Sequence, residues 1–319
     1  MFRYFAMFIL LTLIGYLYEK YKLKYEPDEE LRKYDLVKQF LLNDDSIFGK
    51  KPILWIHSSH PVNHRWWPSF GSRNTRLLNQ PYKVSCVETI IKHCSDSFNI
   101  CLIDDQSFSK LIPNWSINME KIGDPIKSHI RLLALSKLLY AFGGAVIPNS
   151  TIVNKDLKSL YDGALTSHSC FCVDMINRSN TYMTKAMFPN HGIMGCKKNS
   201  PIMKDFLDYL ERLIATDYTS EQNFLGQPNR WLYGKYKENK IYLVNCDLFG
   251  IQDAHGKEVN IDRLMGNTYI EFSPDIYGIY IPDNELLKRT KYQWFTRLSQ
   301  QQLRDCDTII AKHLLIAQG

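Results

Sequence analysis

The sequence predicts an α/β protein, a three-layer sandwich around a mainly parallel sheet, preceded by an N-terminal transmembrane helix. Three observations carry that expectation. Short apolar runs rich in β-branched residues recur along the chain, each closed by a polar loop. Stretches with helical spacing of apolar residues lie between them. The chain also opens with a long uncharged apolar run.

That run is residues 4–18, YFAMFILLTLIGYLY, followed by Glu19 and then Lys20, Lys22 and Lys24. As a helix it reaches about 22 Å, and a full span takes about 20 residues, so flanking tyrosines and snorkelling lysines must supply the rest. A signal peptide would need small residues at its cleavage site, where this chain has Tyr16, Leu17 and Tyr18. Residues 1–25 are therefore expected to be an uncleaved single-pass anchor, with the lipid bilayer as a partner of residues 4–18. Arg3 before the run and three lysines after it lean slightly toward a cytosolic main domain. Residues 26–50 read as a polar stalk with a helix over 27–42, whose start suits Pro27, Asp28, Glu29 and Glu30.

Composition excludes several classes. The 319 residues are 45% hydrophobic and 23% charged, the balance of an ordinary globular protein. A net charge of +6 with no long Lys/Arg run argues against a nucleic-acid partner. Eight cysteines without a CxxC pair argue against zinc, so no metal is expected; they predict buried free thiols in a reducing environment. Sequons at Asn114, Asn149 and Asn177 do not decide the compartment. A nucleophile elbow, a phosphate loop and a dinucleotide fingerprint are all missing from the sequence.

The globular part is expected over 51–275. Residues 52–57, PILWIH, make a buried first strand, and 84–93 a helix. Residues 98–103 make a second strand that ends in Asp104 and Asp105, and strand ends of this kind hold the sites of α/β folds. Asp124 and Pro125 are expected to start the longest helix, which runs to a left-handed cap at Gly143. Further strands are expected at 145–153, 170–175, 192–196 and 241–244, with a helix over 201–215. Residues 276–319 read as an extension with a terminal helix from about Ser299.

The order of these pieces resembles the DXD-containing glycosyltransferases of the GT-A fold, especially the capsular-polysaccharide and mannosyl-transferase kind. Five stretches between residues 52 and 215 carry the likeness: PILWIH; Trp67-Pro68-Ser69; Ile100 to Asp105; LYAFGGAVI over 139–147; and His191 to Cys196 with Asn199-Ser200-Pro201. The resemblance implies a GT-A-like sandwich and a nucleotide-sugar donor. It makes His57, Arg131, Gly143, Gly144, Asn149 and Ser150 donor-binding candidates, and Asp104 and Asp105 catalytic ones. The wording around residues 72–82 and 101–105 also looks like proteins of large DNA viruses, which implies a virion or membrane assembly, with its other proteins as partners.

The departures are equally specific. The family's Asp-x-Asp falls on Pro148-Asn149-Ser150, and its helix Asp and Arg fall on Leu132 and Leu135. A hard cation needs anionic oxygens, which proline, asparagine and serine do not give. Two readings stay open. One is a catalytically degenerate, membrane-anchored domain with a structural or binding role and no cofactor. The other is an active metal-independent transferase in which Arg and Lys neutralise the diphosphate of a nucleotide sugar. Asp253-Ala254-His255-Gly256 is a weak match to the late metal-binding histidine of such enzymes.

Overall fold

The computed structural model describes residues 37–42, 51–59, 80–176, 187–216 and 221–319. The expected anchor, most of the stalk, Trp67-Pro68-Ser69 and the Asn177 sequon lie outside them. Among the described residues no helix is long and apolar enough to cross a membrane.

The strands are β1 Ile53–Ser58, β2 Asn99–Asp104, β3 Gly144–Pro148, β4 Thr151–Val153, β5 Cys170–Ile176, β6 Met187–Cys196, β7 Tyr242–Val244 and β8 Gly278–Tyr280. Six of them form one sheet in the order β2-β1-β3-β6-β5-β7, and β4 pairs with β8 in a second, two-stranded sheet. β1 is parallel to β2 and β3, and β5 is parallel to β7. β6 is antiparallel to both of its neighbours, β3 and β5. All strands of the main sheet except β6 thus point one way, and their carboxyl ends share an edge.

The main helices are α1 Pro81–Cys94, α2 Phe108–Leu111, α3 Ile126–Phe142, α4 Lys158–Ser167, α5 Pro201–Thr216 and α6 Glu221–Lys237. The pleat of β1 sorts its side chains between two layers. Ile53 and Trp55 join the cluster under α3 and α5, with Leu138 and Phe206. Leu54 and Ile56 join the opposite cluster, with Val87 of α1 and Ala164 of α4. Burial on both faces is why these strands read as continuous apolar runs rather than alternating ones.

Most expected elements form within a few residues of their predicted bounds, with informative exceptions. The single strand expected over 145–153 is two strands. β3 stays in the main sheet, and β4 turns away to pair Thr151 with Tyr280 and Val153 with Gly278. The expected terminal helix is broken into Gln300–Arg304 (α9, following the short α7 Ile261–Leu264 and α8 Asp283–Lys288) and α10 Ile309–Gln318. α9 begins with a capping box between Ser299 and Gln302. α3 begins at Ile126 rather than at Pro125, and Asp124 accepts a 2.7 Å hydrogen bond from the Ser128 hydroxyl instead of capping the backbone. Leu41 and Leu42, expected at a helix end, instead run beside β2.

Gly143 ends α3 with φ +74° and ψ −164°, outside the left-handed helical region that was expected. Gly144 follows at φ +95°, where a β carbon would stand 2.0 Å from the Ile53 carbonyl oxygen. The indole N–H of buried Trp55 donates to the Gly143 carbonyl at 3.2 Å. The double glycine therefore lets the amino end of β3 lie directly against β1.

The tail is not peripheral. Ile279, Ile281, Ile310 and Leu314 share a core with Tyr82 and Cys86 of α1 and Ile152 of β4. Seven of the eight cysteines are buried, Cys306 is half-buried, and all are free thiols. Burial pushes the Cys94, Cys101 and Cys170 thiols up to about 12, so they behave as apolar packing.

Candidate functional site

The site is built at the carboxyl edge of β1 and β2. His57 has the parity of Ile53 and Trp55 and so faces the α3 side of the sheet, where its ring stacks on Phe108 at a centroid distance of 5.3 Å. Asp105 follows β2 directly. Lys127 and Arg131 are four residues apart on α3 and point from one face toward it. Arg131 grips Asp105 with two parallel bonds, Nε to Oδ1 at 2.8 Å and Nη2 to Oδ2 at 2.7 Å. His57 Nε2 lies 3.0 Å from Oδ1 and Lys127 Nζ 3.7 Å from Oδ2. Arg131 Nη2 also donates to the Ser59 carbonyl at 3.0 Å, tying the exit of β1 to α3.

The Asp105 side chain is only 6% exposed. Burial raises its carboxyl pKa, but hydrogen bonds from His57 and Arg131 outweigh burial and hold it well below the usual carboxylate range. A carboxylate so deeply ionised is a poor proton acceptor, and both its oxygens are occupied. It works as the hub of a charge cluster. Exposed Asp104 is used differently: its Oδ1 accepts from the Ser107 backbone N–H at 2.9 Å and from the Ser107 hydroxyl at 2.6 Å, closing the turn after β2.

Beside this cluster a half-open cleft of about 770 Å³ is lined by Asp104, Gln106, Asn118, Glu120, Trp115 and Phe40, among others. Its most exposed charges are the carboxylates of Asp104 and Glu120. Lys127 also lines the cleft and Arg131 stands beside it, and both face Asp105.

The sequence-predicted residues therefore divide. His57, Asp105 and Arg131 meet, and Asp104 borders the same cleft. Gly143 and Gly144 lie at the opposite edge of the sheet, about 13 Å away along β3. Asn149 and Ser150 stand at the carboxyl edge but are buried, at 7% and 1% exposure. The Ser150 hydroxyl donates to the Ile281 carbonyl at 2.8 Å, and the Ile281 N–H donates to the Ser150 carbonyl at 3.0 Å. Ser150 thus anchors the tail. His255 is exposed, with Nε2 3.1 Å from Glu271, while Asp253 braces its turn and accepts from Arg263 Nη2 at 2.7 Å. Among the described residues no group of three or more His, Cys, Asp or Glu is arranged to hold a metal ion.

Sequence reasoning missed two residues. Lys127 was signalled by its i, i+4 spacing to Arg131. Asp174 lay hidden within a strand-like run, at the carboxyl end of β5. Burial, with Asp247 nearby, raises its carboxyl to about 6 despite hydrogen bonds from the backbone.

No family model matches the chain, and no curated protein matches it. Several solved structures are similar to it. One is a glycosyltransferase involved in glycosylation of the major capsid of PBCV-1, at 12% identity over 61% of this chain and 84% of that one, with a TM-score of 0.35. Mouse xyloside xylosyltransferase 1 matches at 8% identity over 62% and 86%, with a TM-score of 0.37. The galactosyltransferase LgtC matches at 12% identity over 83% and 95%, with a TM-score of 0.35. All three are glycosyltransferases, and superpositions this loose transfer neither a site nor an activity to this chain.

Proposed function

We propose that this chain is a membrane-anchored, glycosyltransferase-like protein that has given up metal-dependent sugar transfer and serves as a structural or binding component of a membrane-associated assembly. The observation that carries the reading is the turn after β3. Where the resembling enzymes place two metal-binding carboxylates, this chain has Pro148-Asn149-Ser150, and the Ser150 hydroxyl and carbonyl are both bonded to Ile281 of the tail.

Charge supports the same reading. A bound diphosphate carries a charge of about −2 or more and needs a cation or free guanidinium and ammonium groups to neutralise it. Arg131 and Lys127 are turned to Asp105, and the cleft, which Lys127 also lines, presents the carboxylates of Asp104 and Glu120. Membrane attachment rests on the apolar run at residues 4–18.

The test is turnover. The full chain in detergent, given UDP- and GDP-sugars with Mn²⁺ or Mg²⁺, is expected to release no nucleotide above the rate of a heat-denatured control. Saturable donor hydrolysis abolished by Arg131→Met would replace this reading with that of an active, metal-independent transferase.

A further inference from the structure

Of the eight cysteines, two face each other across a strand pair. Cys170, the first residue of β5, stands directly opposite Cys196, the last residue of β6, in an antiparallel ladder. Residues opposite one another in such a ladder project to one face, and both cysteines join the cluster under α3 and α5. One residue outside the pair, the Lys197 N–H donates to the Ser169 carbonyl at 2.9 Å. That bond makes Cys170 and Cys196 a non-hydrogen-bonded pair, the closer of the two antiparallel kinds, with Cα atoms about 4.5 Å apart. A disulfide needs Cα atoms roughly 4.4–6.8 Å apart. The other strand cysteines have no such partner: Cys101 is opposite Trp55 and Leu41, and Cys172 is opposite Met194 and Leu243.

Neither thiol holds a bond that a disulfide would cost the fold. Cys170 Sγ is 4.0 Å from the Phe171 carbonyl oxygen, and Cys196 Sγ donates to the Leu139 carbonyl at 3.3 Å. The Leu139 carbonyl also accepts the Gly143 N–H at 2.8 Å, so it stays satisfied without the thiol. Cys196 is in register with Gly144 on its other side, at the amino edge of the sheet. Next to the pair Lys197 is exposed and Ser169 half-buried, so solvent is one residue away.

We propose that Cys170 and Cys196 are a latent cross-strand disulfide, open in a reducing compartment and closed by exchange with a small-molecule disulfide in an oxidising one. The thiolate of one cysteine attacks glutathione disulfide and releases one glutathione. The opposing thiolate then attacks the protein sulfur of the mixed disulfide and expels the second glutathione. Two protein thiols are thereby oxidised to one S–S bond, and one glutathione disulfide is reduced to two glutathiones. Burial keeps both protein thiols protonated while the strand ends are closed. The first step therefore waits on local opening at Ser169 and Lys197, and reduction of the finished bond waits on the same opening. Once formed, the bond clamps β5 to β6 beside the double glycine. Neither cysteine lines the cleft, and the test uses no nucleotide or sugar, so the proposal can fail without the non-catalytic reading failing.

The test uses the unaltered full chain in detergent, reduced, freed of reductant and incubated folded with glutathione disulfide. Peptide mass spectrometry without reduction is expected to find one dominant cross-link, Cys170 to Cys196, with a yield independent of protein concentration. The bridged chain should melt about 5 °C above the reduced one. Oxidation in concentrated urea should instead scatter the cross-links, because Cys172 then competes as the nearest thiol to Cys170. In Cys170→Ala the melting temperature should be the same before and after oxidation. A folded chain whose thiols all stay free, one bridged mainly through Cys172, one left as a glutathione mixed disulfide, or a bridged chain that melts no higher would each overturn the proposal.

Discussion

The two ends of β3 obey different constraints. At its amino end, Gly143 and Gly144 let α3 stop and β3 press against β1, and a side chain at Gly144 would strike the Ile53 carbonyl. Backbone packing dictates those residues whatever the protein does. At the carboxyl end, Asn149 is buried and Ser150 is bonded to Ile281 of the tail rather than to the sheet. A chain can keep the first end intact while the second end changes at a smaller cost. Likeness at the double glycine therefore speaks for the fold, and only the far end speaks for chemistry.

Breaking the amino end should have the largest effect. Gly144→Ala places a methyl 2.0 Å from a backbone oxygen at φ +95°, and nothing nearby can move aside cheaply. A loss of about 4 kcal/mol or more is expected, read as a lowered urea midpoint or failure to fold. A variant as stable as the parent would refute the packing account.

The carboxyl edge should respond next. Arg131→Ala leaves a buried carboxylate with His57 as its close partner and is expected to cost about 3 kcal/mol at pH 7. Asp105 titrates below its unfolded value, so its pairing stabilises fully above pH about 4 and is lost as pH falls through the folded pKa. Acid unfolding of the parent below pH 4 should therefore be steeper than that of Arg131→Ala.

Asp174 sharpens the comparison, because it has the opposite sign on the same edge. Its folded pKa of about 6 lies above the unfolded 3.8, so its protonated form stabilises fully below pH 3.8 and that contribution is lost as pH rises through 6. Asp174→Asn should raise stability at pH 7 by about 1–2 kcal/mol and flatten the stability profile between pH 4 and 6. An unchanged profile would mean the carboxyl titrates normally.

The smallest effect is expected at the turn itself. Ser150→Ala removes one hydrogen bond and leaves the Ile281 carbonyl unpaired, at a cost of about 1–2 kcal/mol by urea unfolding.

The sequence was readable where its signals are local. Continuous apolar runs marked β1 and β2, α3 showed as a long apolar helix stopped by glycine, and the acidic pair marked the right edge of the sheet. The break between β3 and β4 was not readable, because β4 is defined by pairing with Gly278–Tyr280 more than a hundred residues later. The bonds of Ser150 to the tail were hidden for the same reason, since its partner Ile281 is equally remote. The charge cluster was half visible: His57, Asp105 and Arg131 were each singled out, but only their convergence showed that Asp105 neutralises the arginine expected to bind phosphate.

That neutralisation makes the decisive measurement an equilibrium one. Calorimetric titration of the full chain with UDP and with GDP, with and without Mn²⁺, should give no saturable binding tighter than about 1 mM. A manganese-dependent dissociation constant in the micromolar range would contradict the account at its centre.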